Sequence, residues 1–253
     1  MSRPIITILR CDDVPEPDRS RHGDTHQRMA RHIQTVADRM GQTVEIRHVD
    51  IYGGELPSAD DPSDLFVTTG SAAEPFSDEP WVINLRNWCA DAIAADRCIY
   101  AICFGHQVIA EALGGATGRA ESGWEVGCVA MEQLFELAPN DTAATRSPAA
   151  DQAEASEQVR LLMSHRDEVL KLPRGASHWL RGEQCQYQGY VIPGRVVTVQ
   201  GHPEFDTAQV SDLYQRRREV LGETMTDDAL TSAQRSNDGL ALTEQVLRYF
   251  LRR

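Results

Sequence analysis

The chemistry of this chain concentrates at Ala101-Ile102-Cys103-Phe104-Gly105, followed by His106 and Gln107. The apolar run Cys98-Ile99-Tyr100-Ala101-Ile102 reads as a buried strand. Residues 107–113 read as a helix that Gly114-Gly115 terminates. Cys103 therefore falls on a tight strand-to-helix turn with small residues two before and two after it. That is the pattern of a nucleophile elbow, with sulfur as the attacking atom. Small flanks suit a turn that strains the backbone and brings neighbouring chain close. The free N–H groups and dipole of the following helix favour a thiolate there.

A cysteine nucleophile needs a base, and the base needs an orienting group. His202 ends a Val-rich stretch in Val199-Gln200-Gly201-His202-Pro203-Glu204. Pro203 biases His202 to an extended conformation, and residues two apart on extended chain share a face, so Glu204 can reach the imidazole. His165, in Ser164-His165-Arg166-Asp167-Glu168-Val169, is compatible with a second base, a ligand-binding loop or a plain turn. His106 and Gln107 occupy the first turn of the elbow helix, close to a bound substrate, and Gln107 suits amide or carboxylate recognition. For an oxyanion, Phe104 N–H is the first donor, and the Gly70-Ser71 turn after Leu65-Phe66-Val67-Thr68-Thr69 is the natural second. Gly70 on its own is equally a plain turn residue. His22, Asp24 and His26 imitate a metal site but lack a further ligand, and read as a solvated helix start.

The elements that must hold these groups alternate. Strands are expected at 5–9, 43–49, 65–69 and 98–102, and helices at 24–40, 80–95 and 107–113. This βαβ rhythm predicts a mainly parallel sheet, whose carboxyl strand ends bind ligands. From about 126 short strands follow, at 126–131, 159–163, 184–191 and 195–200, with an exposed insertion over 138–158. Residues 206–253 carry helical periodicity and read as packing helices. With 253 residues and 41% hydrophobic content the chain can bury a sizeable core. A net charge of −13 argues against nucleic acid or an anionic membrane as partner. No stretch has the apolar length of a membrane span. The six cysteines form no CxxC pair, which fits a reducing cytoplasm, and Cys89 and Cys98 read as core residues.

Taken together, Thr69-Gly70-Ser71, Cys103-Phe104-Gly105-His106-Gln107, Ser164 to Val169 and Gly201-His202-Pro203-Glu204 resemble the class I glutamine amidotransferases in order and spacing, over roughly residues 5–205. The resemblance implies a flavodoxin-like three-layer α/β sandwich. Its central sheet is mainly parallel, with helices on both faces and a small antiparallel extension. It also implies one domain over 1–253, with 206–253 as a C-terminal helical extension. By resemblance Cys103 is the nucleophile, His202 the base and acid, and Glu204 the orienter. Gly70, Ser71 and Phe104 form the oxyanion hole, while Gln107, Ser164, His165 and Arg166 hold the glutamyl end.

Two positions depart from the family pattern: Ala101 replaces the usual glycine, and Gly70-Ser71 replaces Gly-Gly. The second, with Ser122-Gly123-Trp124-Glu125-Val126-Gly127, is more similar to the stand-alone branch that includes plant γ-glutamyl peptidases. The expected activity is hydrolysis of a small-molecule γ-glutamyl amide through a cysteine thioester, with neither metal nor cofactor. The alternative is the glutaminase component of a two-chain enzyme, a subunit that passes ammonia to a separate synthetase. A redox sensor built on Cys103 is a third expectation, disfavoured because a sensor has no need of an oriented base. Asp12, Asp13, Glu74 and Asp78 lie on loops that would face the amine, where they suit a cation or simply water.

Overall fold

Residues 3–138 and 157–251 are described by a computed structural model. Eleven strands and eight helices are found among them. The first half delivers β1 (Ile5–Arg10), α1 (Asp18–His22), α2 (Thr25–Arg39), β2 (Glu45–Asp50), β3 (Leu65–Thr68), α3 (Pro80–Ala94), β4 (Ile99–Ile102) and α4 (Phe104–Ala112). There follow β5 (Ala116–Arg119), β6 (Glu125–Gln133), β7 (Glu157–His165), β8 (Asp167–Lys171), β9 (Ser177–Arg181), β10 (Tyr187–Ile192) and β11 (Val196–Val199). The chain closes with α5 (Thr207–Arg216), α6 (Arg218–Leu221), α7 (Glu223–Ser232) and α8 (Gly239–Leu251).

Nine strands form one sheet in the order β2-β1-β3-β4-β11-β10-β9-β6-β7. The first five are parallel, and β10, β9, β6 and β7 extend the sheet antiparallel. Strands β3, β4 and β11 are buried at every position, as strands covered on both faces must be. The polar β2 forms the edge.

Side chains alternate along β4. Tyr100 and Ile102 face the layer holding Ile33 and Val36 of α2 and Val246 of α8. Ile99 and Ala101 face the layer of α3 and α4, with Leu85 and Val108. Each fully buried Leu or Ile there is worth about 1.5–3 kcal/mol. Helix propensity differs by less than about 0.7 kcal/mol between ordinary residues, so packing holds these helices in place. Asp24 starts α2 in a capping box with Gln27, which is the helix start expected from His22, Asp24 and His26. His22 pairs with Asp212 and His26 with Asp24.

The antiparallel part is larger than the sequence suggested. Strands β5, β8 and β9 were not anticipated because they are short and interrupted by polar residues such as His178 and Glu168. The insertion expected over 138–158 lies mostly on residues 139–156, outside the described residues, and Glu157 and Gln158 already belong to β7. Of the expected C-terminal helices, α8 packs on the sheet beside α2. Helices α5 to α7 form a separate layer over β6 and β7, through Val210, Tyr214 and Ala229. All six cysteines are free and buried. Burial pushes the Cys89 thiol up to about 12, in keeping with a core role.

Candidate active site

Cys103 sits between β4 and α4 at φ 50° and ψ −102°, a left-handed conformation that strains any residue with a side chain. Its N–H donates to Val199 O at 2.8 Å, fixing the elbow to the neighbouring parallel strand β11. A Cβ on Gly105 would meet Thr68 Oγ1 at 1.7 Å, so the residue two after the cysteine has no room for a side chain. Ala101, the departure two before it, is fully buried on the opposite face of β4. Its methyl therefore fills core space and leaves the elbow undisturbed.

His202 and Glu204 follow β11, the next strand in the sheet, so His202 and Cys103 rise from adjacent strand ends. His202 N–H donates to Leu162 O in a single antiparallel bridge with β7. Its Nδ1 lies 2.9 Å from Glu204 Oε1, and its ring stacks on Phe205 with centroids 3.8 Å apart. Cys103 and His202 line the same cleft on either side of Gly70. Burial acts against the imidazolium, but the Glu204 carboxylate and then Cys103 outweigh it and hold its pKa up at about 10. Burial likewise opposes charge on Glu204, and the His202 imidazolium keeps its pKa below the usual carboxylate range. The buried Oε2 of Glu204 has no hydrogen-bond partner among the described residues. Arg28 and His32 line a hollow together with this carboxylate. The arrangement can hold a thiolate–imidazolium pair, with the carboxylate fixing the ring.

Gly70 packs directly on this pair: a Cβ there would fall 2.6 Å from His202 Cε1 and 3.5 Å from Cys103 Cβ. Gly70 N–H has no hydrogen-bond partner among the described residues. Phe104, as the first residue of α4, has an N–H without an intrahelical acceptor. Ser71 lines the same cleft, and its Oγ accepts from Ala73 N–H and shapes the turn. The cleft measures about 280 Å³ and contains Cys103, His202, Gly70 and Ser164. Asp12 and Asp13 reach its rim. Asp13 is bound by Arg10 and Arg19, and Glu74 by Arg119, so two of the four expected acidic loop residues are paired.

Four expected site residues are placed differently from one another. Ser164 lines the cleft, whereas His165 turns inward, with Nε2 2.8 Å from Glu125 Oε2 and Nδ1 3.0 Å from Asp167 O. Arg166 is exposed on the turn between β7 and β8. Gln107 is buried and donates from Nε2 to Asp167 O at 2.6 Å and to Gln200 Oε1 at 3.0 Å. Gln200 in turn donates to Cys103 Sγ at 3.6 Å, closing an amide relay that ends on the nucleophile. His106 does not face the cleft either: it is fully buried against Thr198 and Tyr190, and burial pushes its pKa down to about 3. Sequence reading did not single out Gln200, Phe205, Arg28 or Arg217. Gln200 precedes His202 by two on the same stretch of chain, which was the one available signal.

The family model for class-I glutamine amidotransferases matches residues 24–216. The chain belongs to this family. Among glutamine amidotransferase relatives, γ-glutamyl peptidase 3 of Arabidopsis thaliana is 26% identical over 206 residues, covering 80% of either chain. One component of the glutamine-hydrolysing GMP synthase of Thermococcus kodakarensis is 34% identical over 129 residues, which cover 49% of this chain and 61% of the relative. A glutamine amidotransferase from Thermotoga maritima superposes over the full length of both chains with a TM-score of 0.72 at 17% identity. That likeness establishes the amidotransferase fold, in agreement with the flavodoxin-like sandwich expected from sequence.

Proposed function

We propose that the protein hydrolyses the γ-glutamyl amide bond of small γ-glutamyl amines or peptides through a thioester on Cys103. The observation that carries this reading is the array of Cys103 on a strained elbow with His202 and Glu204 on the adjacent strand end. Similarity to a γ-glutamyl peptidase supports the choice of acyl group.

The reaction opens with the thiol proton passing to His202, whose imidazolium Glu204 stabilises. The Cys103 thiolate attacks the γ-carbonyl carbon, forming the C–S bond, and the carbonyl π electrons move to oxygen. The N–H groups of Phe104 and Gly70 receive that oxyanion. As it collapses, the C–N bond breaks and the His202 imidazolium gives its proton to the leaving amine. Neutral His202 then takes a proton from water, whose oxygen attacks the thioester. Collapse of this second oxyanion releases glutamate and restores the thiolate–imidazolium pair. Gln107 and Gln200 act as positioning residues for the sulfur, and the backbone at Ser164 borders the acyl group.

Incubating the protein with a panel of γ-glutamyl amides and analysing it by mass spectrometry tests the reading. A glutamyl adduct on Cys103 that is absent from Cys103→Ala is expected, with release of free glutamate. A chain showing neither adduct nor turnover on any of the panel would exclude it. Similarity to a GMP synthase component favours a second reading, a glutaminase that hands ammonia to a synthetase. Turnover of γ-glutamyl peptides without a partner, well above that of glutamine, separates the first reading from the second.

A further inference from the structure

Arg217 lies between α5 and α6, just past the last residue that the family model matches. It lines the cleft that contains Cys103. Its Nη1 donates to Ser164 Oγ at 2.7 Å, and the guanidinium stands over the Trp124 ring, 5.0 Å from the centroid. Arg216 and Arg218, on either side, both have carboxylate partners, in Asp18 and in Glu223 and Asp227. Arg217 has none within salt-bridge distance among the described residues, although it lines the cleft as the paired Arg216 does. A guanidinium withdrawn from water, with one N–H fixed by a hydroxyl and its face fixed by an indole, has its remaining fork of donors oriented for a planar anion.

Its position decides which anion. Arg217 is tied to Ser164 in the Cys103 cleft, whereas the other cleft arginine without a carboxylate partner, Arg28, also lines the neighbouring hollow with Pro203, Glu204 and Phe205. Arg217 thus stands on the nucleophile's side and Arg28 behind the base. The leaving amine must face His202, so the acyl half of the substrate extends towards the nucleophile's side. A glutamyl group carries one carboxylate there, on its α-carbon.

We propose that Arg217 is the residue of this chain that takes the α-carboxylate of the glutamyl half. The proposal rests on the γ-glutamyl reading above. Glutamyl residues whose α-carboxyl is tied up in an ester or a peptide bond are then poor ligands.

Binding to the Cys103→Ala chain by calorimetry tests this without turnover, using γ-glutamyl anilide and its α-methyl ester. The free acid is expected to bind roughly 10- to 100-fold more tightly, the range of one charge-assisted contact. Arg217→Gln in the same background should bind both compounds alike, and Arg217→Lys should keep part of the preference. Equal binding of acid and ester before Arg217 is changed overturns the proposal, as does a preference that survives Arg217→Gln. A second arm compares γ-glutamylglycine with γ-glutamylglycinamide, which probes a carboxylate on the leaving half. If Arg217→Gln abolishes that preference instead, the assignment to the acyl half is wrong. An Arg217-dependent preference in a chain that hydrolyses none of these compounds upholds the carboxylate site while the hydrolase reading fails. Hydrolysis that treats acid and ester alike does the reverse.

Discussion

The α-carbon of Gly70 rests against the imidazole of His202 so closely that an added Cβ would lie 2.6 Å from Cε1. Gly70, which lines the cleft with an N–H that has no partner among the described residues, thereby limits how near His202 can come to the sulfur. Gly70→Ala should push the ring away from Cys103 and move the donor together. Loss of about 100- to 1000-fold in kcat/KM is expected, the scale of an oxyanion donor. Thermal unfolding monitored alongside should change little, because the clash falls on a cleft wall. An active Gly70→Ala chain would remove Gly70 from the site.

The pairing of His202 with Glu204 sets a pH signature. The folded pKa of His202 is raised from 6.5 to about 10, so its contribution to stability is complete below about pH 6.5 and is lost as pH rises through 10. The alkaline limb of kcat/KM should follow the same deprotonation, since neutral His202 cannot protonate the leaving amine. Glu204→Gln removes the strongest opposing charge and should shift this limb to lower pH. It should also cut kcat/KM by about 100- to 10,000-fold. A pH–rate profile of both chains from pH 6 to 11, the range set by these values, makes the comparison. An unmoved alkaline limb in Glu204→Gln would contradict the assigned pairing.

Gly105 tests the elbow as a matter of packing. Its missing Cβ position overlaps Thr68 Oγ1, which also accepts from Ile102 N–H at 3.2 Å, so neither partner is free to retreat. Gly105→Ala should destabilise the fold by about 1–3 kcal/mol, as overpacking does. Denaturant unfolding measures this directly. A midpoint equal to that of the parent chain would show that the elbow tolerates a wider turn.

Gln200 gives a prediction that needs no substrate. Its Nε2 donates to Cys103 Sγ, and Gln107 holds its carbonyl end. Gln200→Leu removes a donor from the sulfur and leaves Gln107 with one unmatched amide hydrogen. The rate of iodoacetamide alkylation at Cys103, followed at one fixed pH, should therefore change, because the sulfur has lost a hydrogen-bond donor. An unchanged alkylation rate would reduce Gln200 to a packing residue.

Local sequence carried the parts of the site that are local in space. Cys103 was readable because strand, turn and helix follow one another without interruption along the chain, and His202 and Glu204 because they are two apart. The parallel half of the sheet was equally plain, since β3 and β4 are continuous apolar runs. Orientation was not readable where the deciding partner is remote. Gln107 is turned inward by Gln200, 93 residues away, and His165 by Glu125, 40 residues away. Arg217 sits in a run of three arginines within the stretch read as packing helices. Only the approach of Trp124 and Ser164 sets it apart from its neighbours.

The bond from Cys103 N–H to Val199 O lies in the middle of a nine-stranded sheet, between strands buried on both faces. Cys103 and His202 are thus built on the central part of the sheet, where amide hydrogens should exchange last. Edge strand β2 and the outer helices can fray without separating them. Heat inactivation should accordingly coincide with the loss of the whole fold, and a chain that is still native by its slowest amides should still be armed.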